Sequence, residues 1–181
     1  MRVITGSARG RRLETLSGND VRPTTDVVKE AVFSIIQFYI EGRVFLDAFA
    51  GSGQMGIEAI SRGAQRAYFI DSSRRSMNVI KKNIELCGFA DKAETINADT
   101  ISFLNSAGQR FDTVFLDPPY KTGLLQQALL AAPAVMRPGG FIICEHPAEE
   151  KLPEMSGDFA LKKSYRYGRI MISVYTEKEK D

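Results

Sequence analysis

The chain has 181 residues, 44% of them hydrophobic and 25% charged, the composition of an ordinary globular protein long enough for one sizeable core. No apolar run approaches the roughly 20 residues of a membrane helix, and the arginine-bearing start MRVITGSARGRRLETL has no continuous apolar segment behind it, which argues against a secretory signal and leaves a cytoplasmic location as the expectation. The net charge of +2 is too small to identify a polyanionic partner; Cys87 and Cys144 lack CxxC spacing and the single histidine, His146, has no ligand-like cluster around it, so no metal, redox pair or Ser-His-Asp triad is expected.

Residues 1–21 read as a short basic hairpin with Gly6 or Gly10 near its turn, and Arg2, Arg9, Arg11 and Arg12 all precede the first acidic residue. A helix is predicted over 22–42. Pro23 favours an extended Arg22, Thr24, Thr25 and Asp26 offer capping oxygens, and Val28, Ala31, Val32, Ile35, Ile36 and Tyr39 share one face. Over 43–176 the apolar runs RVFLDAF, RAYFID, AETINAD, FDTVFLD and GGFIICEH alternate with helical or turn-rich segments. That alternation predicts a single α/β domain built on a mostly parallel, Rossmann-like sheet. Gly63 and Gly88 mark helix ends, and the stripe Met77, Ile80, Ile84, Cys87 is read as core packing. FALKKSYRYGRIMISVYT adds an antiparallel hairpin turning near Tyr167-Gly168, and 177–181 is a charged tail.

Two stretches carry chemistry. LDAFAGSGQMG follows the first strand and opens a helix; Gly51, Gly53 and Gly56 match G-x-G-x-x-G, and Asp71 lies twenty positions after Gly51. Alone, the pattern fits a dinucleotide site. Asp47, at the strand end just before the loop, would repel a pyrophosphate and favour a cationic ligand such as the ammonium or sulfonium of S-adenosylmethionine. Asp47, Asp71, Asp99 and Asp117 each fall at the end of a predicted strand, where parallel sheets bind ligands. Asp71 is placed to accept from ribose hydroxyls and Asp99 from an adenine amino group; helix capping is the alternative role for each. The second stretch, FLDPPY, ends a buried strand in an acid, two prolines and an aromatic ring. The prolines stiffen the backbone after Asp117 and fix where the Pro118 carbonyl points.

LDAFAGSGQMGIEAISRGA, FID, NAD and FLDPPY resemble the motifs of class I S-adenosylmethionine-dependent methyltransferases whose [N/D]PP[Y/F] motif methylates an exocyclic amine. MRVITGSARGRRLETL, VRPTTDVVKEAVFSII and the closing YGRIMISVY narrow the resemblance to bacterial methyltransferases acting on guanine N2 in small-subunit (16S) ribosomal RNA, nearly end to end. Gln54-Met55 stand where that family commonly has two small or apolar residues. The resemblance implies S-adenosyl-L-methionine held by Asp47, Phe49, Ala50, Gly51, Ser52 and Gly53, by Asp71 and Ser72, by Asp99 and Thr100, and near its methionine end by Thr24. It makes Asp117, Pro118, Pro119 and Tyr120 the catalytic motif, with no metal. Arg2, Arg9, Arg11, Arg12 and Arg22 become the candidate RNA contacts on 16S rRNA, a 30S subunit or its assembly intermediate, for a protein expected to be a monomer. The alternatives are a DNA adenine-N6 methyltransferase, which usually needs a target-recognition insertion, a catalytically silent RNA-binding subunit, and an NAD-dependent oxidoreductase.

Overall fold

A computed structural model describes residues 1–16 and 25–178. Its centre is an eight-stranded sheet. The strands are β1 (Val44–Asp47), β2 (Arg66–Asp71), β3 (Ala93–Asn97), β4 (Phe111–Leu116), β5 (Met136–Pro147), β6 (Met155–Ser156), β7 (Phe159–Tyr167) and β8 (Ile170–Glu177). Their order is β3-β2-β1-β4-β5-β8-β7-β6. The first five run parallel, and β8, β7 and β6 add antiparallel strands at one side. The expected mixed sheet with its C-terminal hairpin is therefore present, and Gly168 turns the hairpin at φ +63°. The short β6, pairing through Met155 and Ser156, carried no readable period in the sequence.

Among the described residues, five α-helices cover the two faces. Helices α1 (Asp26–Ile35), α2 (Gln54–Ser61) and α3 (Arg74–Cys87) share one apolar cluster, which includes Val28, Val32, Ile57, Ile80 and Ile84. Helices α4 (Thr100–Ser106) and α5 (Leu124–Ala131) cover the other through Leu104, Leu125, Ala128 and Leu129. The parallel strands are thus buried on both sides, as their continuous apolar runs require; β4 is buried at every position.

Helix α1 is shorter than the 22–42 span its periodicity predicts. Thr25 caps it, accepting from the Val28 N–H at 3.4 Å, and it ends at Ile35. Beyond it the chain turns, with the Tyr39 N–H on the Ile36 carbonyl at 2.8 Å, so that Ile40 enters the core and Tyr39 lies against Phe141 instead of continuing the helix face. Val28, Val32 and Ile36 are buried as expected, but so are Phe33 and Lys29, which the predicted face omitted. Arg22 and Thr24 lie outside the described residues. Cys144 is fully buried; Cys87, expected to be buried, is only half-covered at the end of α3.

The amino-terminal hairpin is a loop closed by one antiparallel bridge, Arg2 to Arg12, rather than a pair of extended strands. It is docked onto α2. Ile4 and Thr5 donate their N–H groups to the two Glu58 carboxylate oxygens at 2.8 and 3.0 Å, and Ser61 Oγ donates to the Thr5 carbonyl at 2.6 Å. Gly6, at φ +89°, lies so close to α2 that a Cβ there would stand 1.7 Å from the Ser61 carbonyl oxygen.

Candidate active site

The strand order reverses between β1 and β4, and the crevice at the carboxyl ends of these strands is where open α/β sheets bind ligands. Register fixes who meets there. Asp47 pairs with Phe69 on β2 and Phe115 on β4, so Asp71 and Asp117 each stand two residues further along their strands than Asp47's row.

The glycine loop leaves β1 after Asp47. Gly53 sits at φ +79° as the residue preceding α2, a left-handed conformation that side chains other than glycine rarely adopt. Gly56 serves a different purpose: a Cβ there would lie 2.3 Å from the Phe69 ring, so its absence lets α2 close onto β2. Asp47 is buried beneath the loop and accepts from the Gly56 N–H at 3.0 Å. Burial pushes its carboxyl up to about 7; the Gly56 bond opposes that rise and the nearby Asp71 charge adds to it.

Asp71 accepts from the Gly51 N–H at 2.9 Å through one oxygen and from the Ser73 N–H at 2.8 Å through the other. It thereby joins the glycine loop to the start of α3 while each oxygen keeps a further lone pair for a hydroxyl. Asp99 lies two residues past β3 and is the N-cap of α4, accepting from the Ser102 N–H at 2.8 Å; the backbone and side-chain bonds from Ser102 hold its carboxyl below the usual range. The capping role is therefore real, and the residue is exposed two positions beyond the carboxyl end of β3. Thr100 is buried and spends its hydroxyl on the Ala48 carbonyl at 2.5 Å, so it braces the loop. Ser52 is half-buried and its carbonyl accepts from Asn83 Nδ2 at 2.9 Å. Ala50 is buried, bonding through its N–H to Ile70, Phe49 is half-buried, and Ser72 is exposed beside Asp71.

At β4 the chain passes from buried Leu116 through half-buried Asp117 to buried Pro118 and exposed Pro119. Thr122 Oγ1 donates to the Pro119 carbonyl at 2.7 Å, and Lys121 takes a positive φ of +62°, which makes the chain turn sharply after Tyr120. Positive φ at a residue other than glycine is uncommon and clusters at functional sites. The half-buried Tyr120 donates its hydroxyl to Glu145 Oε1 on β5 at 3.3 Å. A notch of about 10 Å³, lined by the motif's prolines and Tyr120 with Glu145 and Glu150, opens beside it.

Sequence reasoning missed Glu145, although GGFIICEH places an acid at the end of a buried strand on this same edge. It also missed Asn83, which joins the loop to the basic arm by accepting from the Glu14 N–H at 2.7 Å while donating to the Ser52 carbonyl. A further omission is Lys29, fully buried, whose Nζ donates to the Arg2 carbonyl at 2.6 Å and lies 3.9 Å from Glu58. His146 is buried: Nδ1–H donates to the Pro147 carbonyl at 2.9 Å and Nε2 lies 2.8 Å from Ser173 Oγ. The four arginines of the arm are exposed, with Arg2 3.5 Å from Asp26. Among the described residues, no three His, Cys, Asp or Glu side chains are grouped to hold a metal, and no helix is long and apolar enough to cross a membrane.

The residues at the cofactor end fit an adenosine-containing cation. Three carboxylates serve as acceptors, and the loop is open at Gly51, where a Cβ would meet nothing within 4 Å. With the strand order, the glycine loop and the acid after β2, this is the fold of the class I S-adenosylmethionine-dependent methyltransferases. The chain belongs to the conserved hypothetical protein 95 family, whose model matches residues 1–176. It is 38% identical over 183 residues to the candidate rRNA methyltransferase YlbH of Bacillus subtilis, covering 98% of this chain and 100% of that one. It is 33% identical to ribosomal RNA small subunit methyltransferase D of Escherichia coli, covering 97% of this chain and 89% of the relative. The solved structure of the E. coli candidate methyltransferase yhhF superposes with a TM-score of 0.89 at 30% identity, covering 98% of each chain.

Proposed function

We propose that this protein transfers a methyl group from S-adenosylmethionine to the exocyclic N2 amine of a guanine in small-subunit ribosomal RNA. The observation that carries the reading is the single sheet edge at which Asp47 and Asp71 bond to the glycine loop, Asp99 follows β3, and Asp117-Pro118-Pro119-Tyr120 leaves the neighbouring strand. Relatives named as small-subunit ribosomal RNA methyltransferases, matched over most of the chain, support the choice of RNA.

When bound, S-adenosylmethionine supplies an electrophilic methyl on a positively charged sulfur. Asp71 takes the ribose hydroxyls, Asp99 faces the adenine amine, and Asp47 offers its charge to the cationic end, with Thr24 completing that end. The guanine amine is a poor nucleophile because its lone pair is delocalised into the ring. Asp117 and the Pro118 carbonyl accept its two N–H groups, favour a pyramidal nitrogen and stabilise the positive charge that develops during attack. As the N–C bond forms the methyl–sulfur bond breaks, its electron pair stays on sulfur to leave S-adenosylhomocysteine, and the methylated amine releases one N–H proton to water. Tyr120 stacks on the extruded base, its ring oriented by the hydroxyl bond to Glu145. Arg2, Arg9, Arg11, Arg12 and Arg22 bind phosphates and give affinity, while the pocket at Asp117 selects the base.

The test is methyl transfer from tritiated S-adenosylmethionine to small subunits from cells lacking this gene, with free 16S RNA, tRNA and duplex DNA in parallel. Label confined to 16S RNA or small subunits is the expected result. Label in DNA would point to the adenine-N6 reaction, and tighter equilibrium binding of NAD than of S-adenosylmethionine would overturn the cofactor.

A further inference from the structure

The basic amino-terminal arm has a counterpart. Residues 159–176, which hold β7, the turn and β8 up to its final residue Glu177, contain Lys162, Lys163, Arg166 and Arg169 and no acidic residue. Together with the four arginines of residues 1–13 they leave 16 basic against 22 acidic residues in the rest of the chain, so positive charge is segregated into two segments of a molecule whose net charge is only +2. Surface charge that serves solubility is interspersed in sign; this hairpin is not. All four cations are exposed, and none enters a salt bridge among the described residues.

Register brings the hairpin's turn to the reactive edge. Leu116 pairs with Cys144, so Glu145 stands beside Asp117, and two residues later Pro147 pairs with Ile170 at the hairpin turn. Strand β8 is two positions from β4. The turn therefore lies about 10 Å to the side of Asp117 and about 7 Å further out along the strand direction. It is held there: His146 Nε2 accepts from Ser173 Oγ at 2.8 Å, and Ser173 Oγ lies 2.8 Å from Ser164 Oγ, a chain of bonds across β5, β8 and β7. The Arg166 Nε–H donates to the Gly168 carbonyl at 3.0 Å, and the Lys163 ammonium stands 4.9 Å above the Tyr165 ring. Tyr165 and Tyr167 pack on the cluster that also contains Val3 of the amino-terminal arm.

We infer that the β7–β8 hairpin is a second RNA-contacting arm, gripping the phosphates that flank the target nucleotide through Lys163, Arg166 and Arg169 on the opposite side of Asp117 from the cofactor loop. The inference rests on the ribosomal RNA reading given above. A small protein with two short basic arms on either side of its pocket clamps the backbone around a base without reading sequence at the arms, which leaves base choice to the pocket.

The experiment compares the full chain with its Lys163→Ala/Arg166→Ala/Arg169→Ala variant, measuring binding to free 16S RNA and to unmethylated small subunits between 50 and 200 mM salt, alongside methyl-transfer kinetics. Three lost phosphate contacts make the slope of log affinity against log salt shallower by about 2. The KM for RNA should rise at least about tenfold, cofactor affinity should stay within about twofold, and Arg166→Lys/Arg169→Lys with Lys163 retained should restore the slope. An unchanged slope and KM would overturn the inference, as would a loss on assembled subunits with free RNA unaffected, which would assign the hairpin to a ribosomal protein. Absence of transfer by the unmodified chain would overturn the reaction instead, while the binding slope still reads the hairpin on its own.

Discussion

The two halves of the site are made rigid in different ways. On the cofactor side, Asp47, Asp71 and Asp99 are each fixed by backbone N–H groups, from Gly56, from Gly51 and Ser73, and from Ser102. On the reaction side, the chain from Asp117 to Tyr120 is stiffened by two proline rings and the turn at Lys121, with bonds that include Thr122 to the Pro119 carbonyl and Tyr120 to Glu145. Hydrogen-bonded preorganisation tolerates the exchange of a partner because several bonds share the load. In the proposed reaction covalent stiffness would concentrate turnover on one carboxylate, so substitutions on the two sides should separate cleanly into binding and turnover.

The largest effect expected is that of Asp117→Ala. Removing an acceptor aimed at developing charge costs about 10²–10³-fold in turnover, whereas the cofactor dissociation constant should be unchanged because Asp117 is not part of the glycine loop. Weakened cofactor binding by this variant would erase the division between the halves. Next comes Gly56→Ala, whose methyl would lie 2.3 Å from the Phe69 ring; pushing α2 off the sheet should cost about 1–3 kcal/mol by chemical denaturation and weaken cofactor binding along with it.

The third effect is a pH dependence confined to the cofactor side. The Asp47 carboxyl is raised to about 7 in the folded protein from an ordinary value of 3.8, so its contribution to stability is fully present below about pH 4 and is lost as pH rises through 7. A cationic ligand reverses the preference by favouring the carboxylate. Cofactor affinity should accordingly rise about tenfold between pH 6 and pH 8, following the ionised fraction, and Asp47→Asn should flatten both profiles in calorimetry and thermal melts. Tyr120→Phe should have the smallest effect, removing the bond to Glu145 for a severalfold rise in the KM for RNA with cofactor affinity untouched. An effect on cofactor binding as large as on RNA would mean that the ring orients the wrong ligand.

The same contrast explains what could be read from the sequence. Proline, glycine and alternating apolar runs act through the backbone of their own segment, so the D-P-P-Y turn, the glycine loop, the parallel strands and the final hairpin were all legible. Partners distant in the chain were not. Glu58 and Lys29 look like surface residues of two helices, yet they are fully buried because the arm's Ile4 and Thr5 supply N–H groups and Arg62 closes the cluster at 2.8 Å. Asn83 is one polar residue in an amphipathic helix until residues 14 and 52 are brought beside it. The predicted extent of α1 failed for a related reason: the run from Val28 to Tyr39 keeps helical spacing, but the packing of Tyr39 on Phe141 requires a turn. Asp99 could have been a cap or a ligand by spacing alone, and only the Ser102 bond shows the cap.

The most direct test is to identify the nucleoside formed when the protein and S-adenosylmethionine are incubated with small subunits from cells lacking this gene, in parallel with Asp117→Ala. The expected product is N2-methylguanosine at one position of 16S rRNA with the unmodified chain and a loss of about 10²–10³-fold with the variant. A methyl group on another atom or base, or equal product from Asp117→Ala, would contradict the role given to the D-P-P-Y turn.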